Sequence, residues 1–485
     1  MISARRMAAV DANAAALGVP RKQLMESSGN AVARVVREVA DAERDGDSRV
    51  AIVAGRGNNG GDAFVAARFL DAFDTRVVLL GRPETITTDI ARENWAALVD
   101  AEYDTHVVSD SRDLDLDLGE SDVIVDAMLG TGVTGALREP EATAAAMINA
   151  AEATVVAVDV PSGVDADTGE FEGEVVDADH VVTFHDEKPG LSTLDATVHV
   201  ADIGIPEAAE AFVGPGDLLA LGRDPQSHKG DHGEVLVVGG GPYTGAPALA
   251  AGAALRAGAD LVRVACPRAV AREIQGYSEN LILVPFEGET LGPGHVDALL
   301  ERAADHDVVV FGPGLGSADD TLAAVREFLR RYEGRAVVDA DALQVVPEVE
   351  TEATLVCTPH QGELRKMGGE SAEAWRERRT LVAAFASDLG HTLLVKGAYD
   401  VIADPHGTRV NRTGNPGMTV GGTGDVLAGV TGALCCTQEP LDAAAIAAYV
   451  NGRAGDVAVD KRGFGLVATD LLDRLPAALW GERDE

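Results

Sequence analysis

The stretch "GNPGMTVGGTGDVLAG" (residues 414–429) sets one acid, Asp425, directly behind a run of glycines and ahead of an apolar, helix-forming segment. Gly421, Gly422 and Gly424 let the backbone turn where a Cβ would clash, so successive N–H groups can face one concavity. A helix N-terminus has free donors and the positive end of the helix dipole, which suits an anion, here a phosphate. Asp425 beside it could take the proton from a hydroxyl as that hydroxyl attacks a phosphoryl group. Asp is also a favoured N-cap residue, so the turn alone leaves both roles open.

The chain has 485 residues, too many for one ordinary core, and 46% of them are hydrophobic. Two domains are expected. No apolar run approaches the roughly 20 residues of a membrane span, and Asp11 and Asn13 interrupt the N-terminal stretch where a secretory signal would be apolar. A cytoplasmic protein is expected. The net charge of −39 comes from 79 acids against 40 bases, and only six bases are lysines. Such a surface repels nucleic acid and anionic lipid, so neither is expected as a partner. The acids are spread rather than blocked, a hydrated surface similar to that of proteins from salt-loving microbes. Cys266, Cys357, Cys435 and Cys436 lack metal-ligand spacing and read as reduced, buried thiols.

Helical spacing covers roughly 1–40. Strand-like runs at 50–54, 76–80, 106–108, 122–126, 154–158, 180–184 and 197–200 then alternate with helical segments, the first over about 62–72. This alternation predicts a parallel sheet covered on both faces. The pattern breaks near 205–233, and a second series follows, with strands at 234–239, 261–265, 307–311, 335–339, 354–357, 391–396 and 399–403. The fold class expected is α/β, with two three-layer domains at 1–216 and 217–485.

At Asp425 the C-terminal half resembles the ribokinase-like superfamily, and more narrowly the NAD(P)H-hydrate dehydratase family. Other segments in family order are "SHKGDHGEVLVVGGG" (227–241), "YTGAPALAAGAALRAGADLV" (243–262), "FGPGLG" (311–316), "VVDADAL" (337–343), "TPHQGE" (358–363) and "KGAYDVIADP" (396–405). The resemblance implies a C-terminal domain that dehydrates the S form of hydrated NADH or NADPH (NADHX, NADPHX) with ADP as co-substrate and Mg²⁺, giving AMP and phosphate. It assigns substrate contacts to Ala246, Gly314, His360 and Asp425, with Asp425 catalytic. Nucleotide contacts fall to Lys396, Gly397, Ala398, Tyr399, Asp400 and Gly424. Asp400 stands where the family usually has Thr, placing an acid near the expected nucleotide.

"VAIVAGRGNNGGDAFVAARFL" (50–70) runs strand, glycine loop, helix, without the order of a dinucleotide fingerprint. Asp126 and Asp159 fall at two further strand ends, where ligands of open α/β sheets collect, although each Asp alone could be a loop cap. With "LMESSG" (24–29), these segments resemble the NAD(P)H-hydrate epimerase family, a Rossmann-like fold. That resemblance implies dinucleotide binding by Asn58, Asn59, Gly60, Gly61, Asp62, Gly130, Thr131, Gly132, Val133, Thr134, Gly135, Ala136 and Asp159. It implies a K⁺ ion on Asn59, Asp126 and Ser162, and acid/base work by Asp159. Lys188 also matches a family position, without an evident role. Together the halves imply one enzyme, an isomerase and a lyase, repairing both epimers; a homo-oligomer is expected. The alternatives are a ribokinase-like small-molecule kinase fused to a nucleotide-binding regulatory domain, and an N-terminal half that only senses a ligand.

Overall fold

The computed structural model describes residues 1–43, 48–114, 116, 118–132 and 135–481. They form two compact units, Met1–Ala209 and Glu210–Glu485. Residues 210–216, grouped with the first domain on sequence, pack within the second unit. Phe212 bridges Val410, and the Val213 N–H donates to Val410 O at 2.9 Å.

The first unit holds seven strands: β1 (Arg49–Ala54), β2 (Asp74–Leu80), β3 (Asp104–Val108), β4 (Val123–Ala127), β5 (Thr154–Val158), β6 (His180–Phe184) and β7 (Thr197–Ala201). Their order is β3-β2-β1-β4-β5-β6-β7, and all neighbours are parallel. Side chains alternate across a strand, so β1 feeds two cores. Val50, Ile52 and Ala54 pack on one face, while Ala51 and Val53 pack on the other.

The second unit carries β8 (Glu234–Val238), β9 (Leu261–Ala265), β10 (Ile282–Leu283), β11 (Val308–Phe311), β12 (Arg335–Val338), β13 (Thr354–Cys357), β14 (Thr392–Val395), β15 (Asp400–Ala403) and β16 (Thr408–Asn411). Their order is β10-β9-β8-β11-β12-β13-β14-β15-β16. The same alternation recurs in β11, with Val308 and Val310 toward one core and Val309 and Phe311 toward the other.

Two details differ from expectation. The second sheet is mixed, because β14, β15 and β16 pair antiparallel. The turn from β14 to β15 is too short for the crossover that a parallel pair needs. The short strands β10 and β16 had no strong signal in the sequence. In the first unit the helix after β1 spans Asn58–Arg68 rather than 62–72. Asn58 to Asp62 are therefore its first turn, and the helix begins within the glycine loop itself. Among the described residues, no helix is long and apolar enough to cross a membrane.

Candidate functional sites

In the first unit, β4 and β5 end side by side and bring two acids to one edge of the sheet. Asp126 is fully buried. Its Oδ2 accepts the Ser162 N–H (2.7 Å) and its Oδ1 accepts the Ser162 hydroxyl (2.7 Å) and the Met128 N–H (3.2 Å). Burial pushes its carboxyl up to about 6, against the pull of those donors. The Leu129 N–H returns to Ser162 Oγ at 3.0 Å, and Asn59 Nδ2 donates to Leu129 O at 3.0 Å. Asn59, Asp126 and Ser162 thus meet around residues 128–130. Asn59 spends an amide hydrogen on the backbone, and its Oδ1 lies against Gly130.

Asp159 follows β5 with φ of +64°, a left-handed conformation uncommon outside glycine. Its Oδ1 accepts Lys188 Nζ at 2.6 Å and Thr183 Oγ1 at 3.1 Å. Lys188 has no solvent exposure and also donates to Thr183 Oγ1 (2.9 Å) and Phe184 O (3.0 Å). Three partners match the three hydrogens of an ammonium. Nearby, burial pushes the Asp62 carboxyl well above its usual range, and the charges of Asp159 and Asp11 add to the effect. Burial likewise raises Asp11 to about 6, opposed by Arg21 and reinforced by Asp159.

In the second unit, the helix Thr423–Cys435 starts from Gly422 at φ +97°. A Cβ there would be strained, and would meet Leu249 Cδ1 at 2.8 Å. Asp425 sits in the first turn of that helix. Burial pushes its carboxyl up to about 7, with Asp339 and Glu363 adding to the rise and Lys396 opposing it.

Lys396 Nζ lies 3.0 Å from Asp339 Oδ1 and 3.8 Å from Glu363 Oε2. A Cβ on Gly424 would stand 3.3 Å from that ammonium, so the bare Cα lets Lys396 reach the helix start. Burial alone would depress this lysine, but the facing carboxylates override it and raise it. Thr358 Oγ1 donates to Asp339 Oδ1 at 2.7 Å and fixes the acid. His360 caps the helix Gln361–Lys366, its Nδ1 accepting the N–H groups of Gly362 (2.9 Å) and Glu363 (3.1 Å). With Nδ1 an acceptor, the ring proton belongs on Nε2, which lies 3.6 Å from Glu363 Oε1.

Two family models match the chain: "NAD(P)H-hydrate dehydratase" over residues 235–477 and "YjeF-related protein N-terminus" over 21–190. A bifunctional NAD(P)H-hydrate repair enzyme of Pyrobaculum aerophilum is 45% identical, the alignment covering 99% of this chain and 98% of the relative. One from Methanothermobacter thermautotrophicus is 44% identical over 98% of this chain and 94% of its own length. The chain belongs to the bifunctional NAD(P)H-hydrate repair enzyme family. A solved ribokinase-like protein of Enterococcus faecalis, 23% identical, superposes with a TM-score of 0.50 over 56% of this chain and 95% of its own. That likeness supports the ribokinase-like fold.

Within this repair enzyme, the structure groups most of the expected residues. Gly314 (φ +75°) lies under the 243–247 segment, where a Cβ would meet Tyr243 O at 2.4 Å, and so it adjoins Ala246. Lys396 and His360 bridge as neighbouring backbone. Gly397 and Ala398 are exposed.

Asp400 does not present its charge outward. Its Oδ1 accepts the Gly397 N–H (2.9 Å) and its Oδ2 accepts Asn411 Nδ2 (2.9 Å), while burial raises it to about 6. Tyr399 is gripped by the helix Trp375–Leu389. Trp375 stacks on its ring at 5.5 Å, and Arg378 Nη2 donates to its carbonyl at 2.8 Å.

In the first unit Gly130 abuts the Asn59 side chain, whereas Gly132, Gly135 and Ala136 continue as exposed turn. Val133 and Thr134 lie outside the described residues. Sequence reasoning missed Asp11, Asp339 and Glu363 as members of these clusters. Asp339 and Glu363 stood inside quoted motifs, Asp339 directly after β12 and Glu363 in the helix Gln361–Lys366, but no lysine lies near Asp339 in sequence to mark it.

Proposed function

We propose that the second unit dehydrates (6S)-NAD(P)HX with ADP, and that the first interconverts the 6R and 6S epimers so that both reach it. The observation that carries this reading is Asp425, a carboxyl held near 7 beside a helix N-terminus and the Lys396 ammonium.

Hydroxide leaves poorly, and a phosphate ester leaves well. Asp425 takes the proton of the C6 hydroxyl while its oxygen bonds to the terminal phosphorus of ADP and the bond to AMP breaks. The N–H groups at the start of the helix and Lys396 bind the phosphoryl oxygens as charge shifts onto AMP. The ring nitrogen then pushes phosphate off C6 and a proton leaves C5, giving NAD(P)H, AMP and phosphate. The carboxylates of Asp339 and Glu363 suit Mg²⁺, which takes one or two protein carboxylates plus phosphate oxygens. Bound there, it would neutralise charge on the nucleotide.

In the first unit, the ring nitrogen assists departure of the C6 oxygen, and water returns to the opposite face of the resulting cation. Asp62, whose carboxyl favours its protonated form, gives the proton that turns the departing oxygen into water. Asp159 takes the proton of the entering water. Asn59 Oδ1, Asp126 and Ser162 offer only oxygen, with one formal charge among them, which fits K⁺. It would fix the substrate's phosphates against the helix start. We place the work in the cytoplasm, where reduced nicotinamides turn over.

The test is to incubate the protein with mixed NADHX epimers and ADP and follow the reduced-nicotinamide absorbance. Full recovery is expected; recovery of one epimer alone contradicts the epimerase half, and recovery without nucleotide contradicts the dehydratase half.

A further inference from the structure

The repair reaction leaves open which hydrated dinucleotide the first unit prefers. Two guanidiniums bear on it. Arg56 lies just beyond β1, and Arg82 just beyond its parallel neighbour β2, where Ala54 pairs with Leu79. Gly81, at φ +111°, turns the chain between them. A Cβ there would meet Arg56 Cδ at 2.5 Å, so the bare turn lets the stem of Arg56 lie across the end of β2.

Hydrogen bonds join the two loops into one surface. Arg56 O accepts the Thr87 N–H (2.9 Å) and the Thr87 hydroxyl (3.1 Å), and Thr88 Oγ1 donates to Asn58 Oδ1 (2.8 Å). Arg56 and Arg82 are both exposed, and neither pairs with a carboxylate among the described residues; Arg56 Nη1 reaches only the Thr85 hydroxyl, at 3.5 Å. Glu84 is the single acid in segments 55–61 and 81–88, in a chain of net charge −39. A basic surface surviving in so acidic a chain calls for an anion.

Geometry limits which anion. Ligands of an open parallel sheet lie across the carboxyl ends of its strands, with pyrophosphate at the helix after the first strand. The reacting ring belongs near Asp159, at the end of β5 on one side of that helix start. The adenosine half then extends to the other side, over β1 and β2. At the end of the second strand an acid would bind a free ribose 2′-hydroxyl, whereas an arginine accommodates a 2′-phosphate. Arg82 holds that position here, and the stem of Arg56 passes beside Gly81, the residue before it.

We propose that Arg56 and Arg82 bind the 2′-phosphate of the substrate, so that the epimerase site favours NADPHX over NADHX. This rests on the reading that lays the dinucleotide across Asn58 to Asp62. Planar guanidiniums grip a phosphate dianion through paired, charge-assisted bonds. The preference should be on the order of tenfold to a hundredfold in kcat/KM.

The experiment compares epimerisation of 6R-NADPHX and 6R-NADHX by the full-length protein and its Arg82→Ala, Arg56→Ala and Arg82→Lys variants. The expected result is a wild-type ratio of at least about tenfold that collapses toward unity in each alanine variant through KM for NADPHX. Arg82→Lys should keep part of it. A wild-type ratio near one, or equal losses on both substrates, overturns the proposal; equal losses would put the arginines on the pyrophosphate that both share. Asp159→Asn separates the two levels of argument. If that variant still epimerises either substrate, the site reading itself is wrong, whereas an inactive Asp159→Asn with an unmoved ratio removes only the 2′-phosphate assignment.

Discussion

Lys188 Nζ stands 2.6 Å from Asp159 Oδ1, the lysine wholly out of solvent and the acid at its strained backbone position. On the proposed reading, the lysine acts on epimerisation through the acid. It sets the direction of the Asp159 carboxylate and compensates that carboxylate's negative charge. Lys188→Met should leave Asp159 without its buried counter-ion and cost about 3–5 kcal/mol of stability in the first unit. Epimerase activity should fall at least about a hundredfold while dehydratase activity persists. A denaturation midpoint and separate assays of the two activities check this.

The dehydratase should gain rate as pH rises through about 7, because Asp425, the proposed base, accepts a proton only when ionised. The stability effect has the opposite sign. A carboxyl whose folded value is raised favours the fold below its unfolded value, near 4, and that contribution is lost as pH rises through about 7. Asp425→Asn should therefore be inactive yet gain stability over the parent at pH 8, with the gain shrinking toward pH 4. Melting curves at both pH values decide it.

Gly422→Ala should damage the dehydratase through the backbone. The position is left-handed, and the added methyl would meet Leu249 and Ala468. Overpacking and strain together should cost about 2–4 kcal/mol. Chemical denaturation should show the second unit weakened, with nucleotide KM raised.

Ions should separate the two activities. Removing Mg²⁺ with a chelator should stop dehydration and leave epimerisation intact. Replacing K⁺ by a large organic cation should slow epimerisation and spare the dehydratase, since the donors meeting at Asn59, Asp126 and Ser162 lie in the first unit. Each activity measured under both conditions gives four readings, and only the crossed pattern of those readings agrees.

Much of this architecture was legible because strands such as β1 and β11 are buried on both faces and read as unbroken apolar runs. Asp425 and Asp159 were legible for a local reason, a strand end or a helix start next to glycine. The last strand was not. β16 carries Arg409 and Asn411, and its apolar signal is too short to stand out; it is held instead by Arg409 bonding Asp217 (2.7 Å) and Asn411 bonding Asp400 (2.9 Å). Partners far apart in sequence also hid the company each acid keeps. Nothing near Asp339 announces Lys396, and nothing near Asp159 announces Lys188, since 57 and 29 residues separate them. The partners of Asp400, Gly397 and Asn411, are close in sequence, but only the pairing of β15 with β16 turns Asn411 onto it.

The central claim is that the C6 oxygen attacks phosphorus, with Asp425 as the base, before it leaves the ring. NADHX carrying oxygen-18 in its C6 hydroxyl, turned over with unlabelled ADP, tests this directly. The label should appear in inorganic phosphate, and Asp425→Asn should abolish its transfer. Label recovered in water, with unlabelled phosphate formed alongside, would contradict the account.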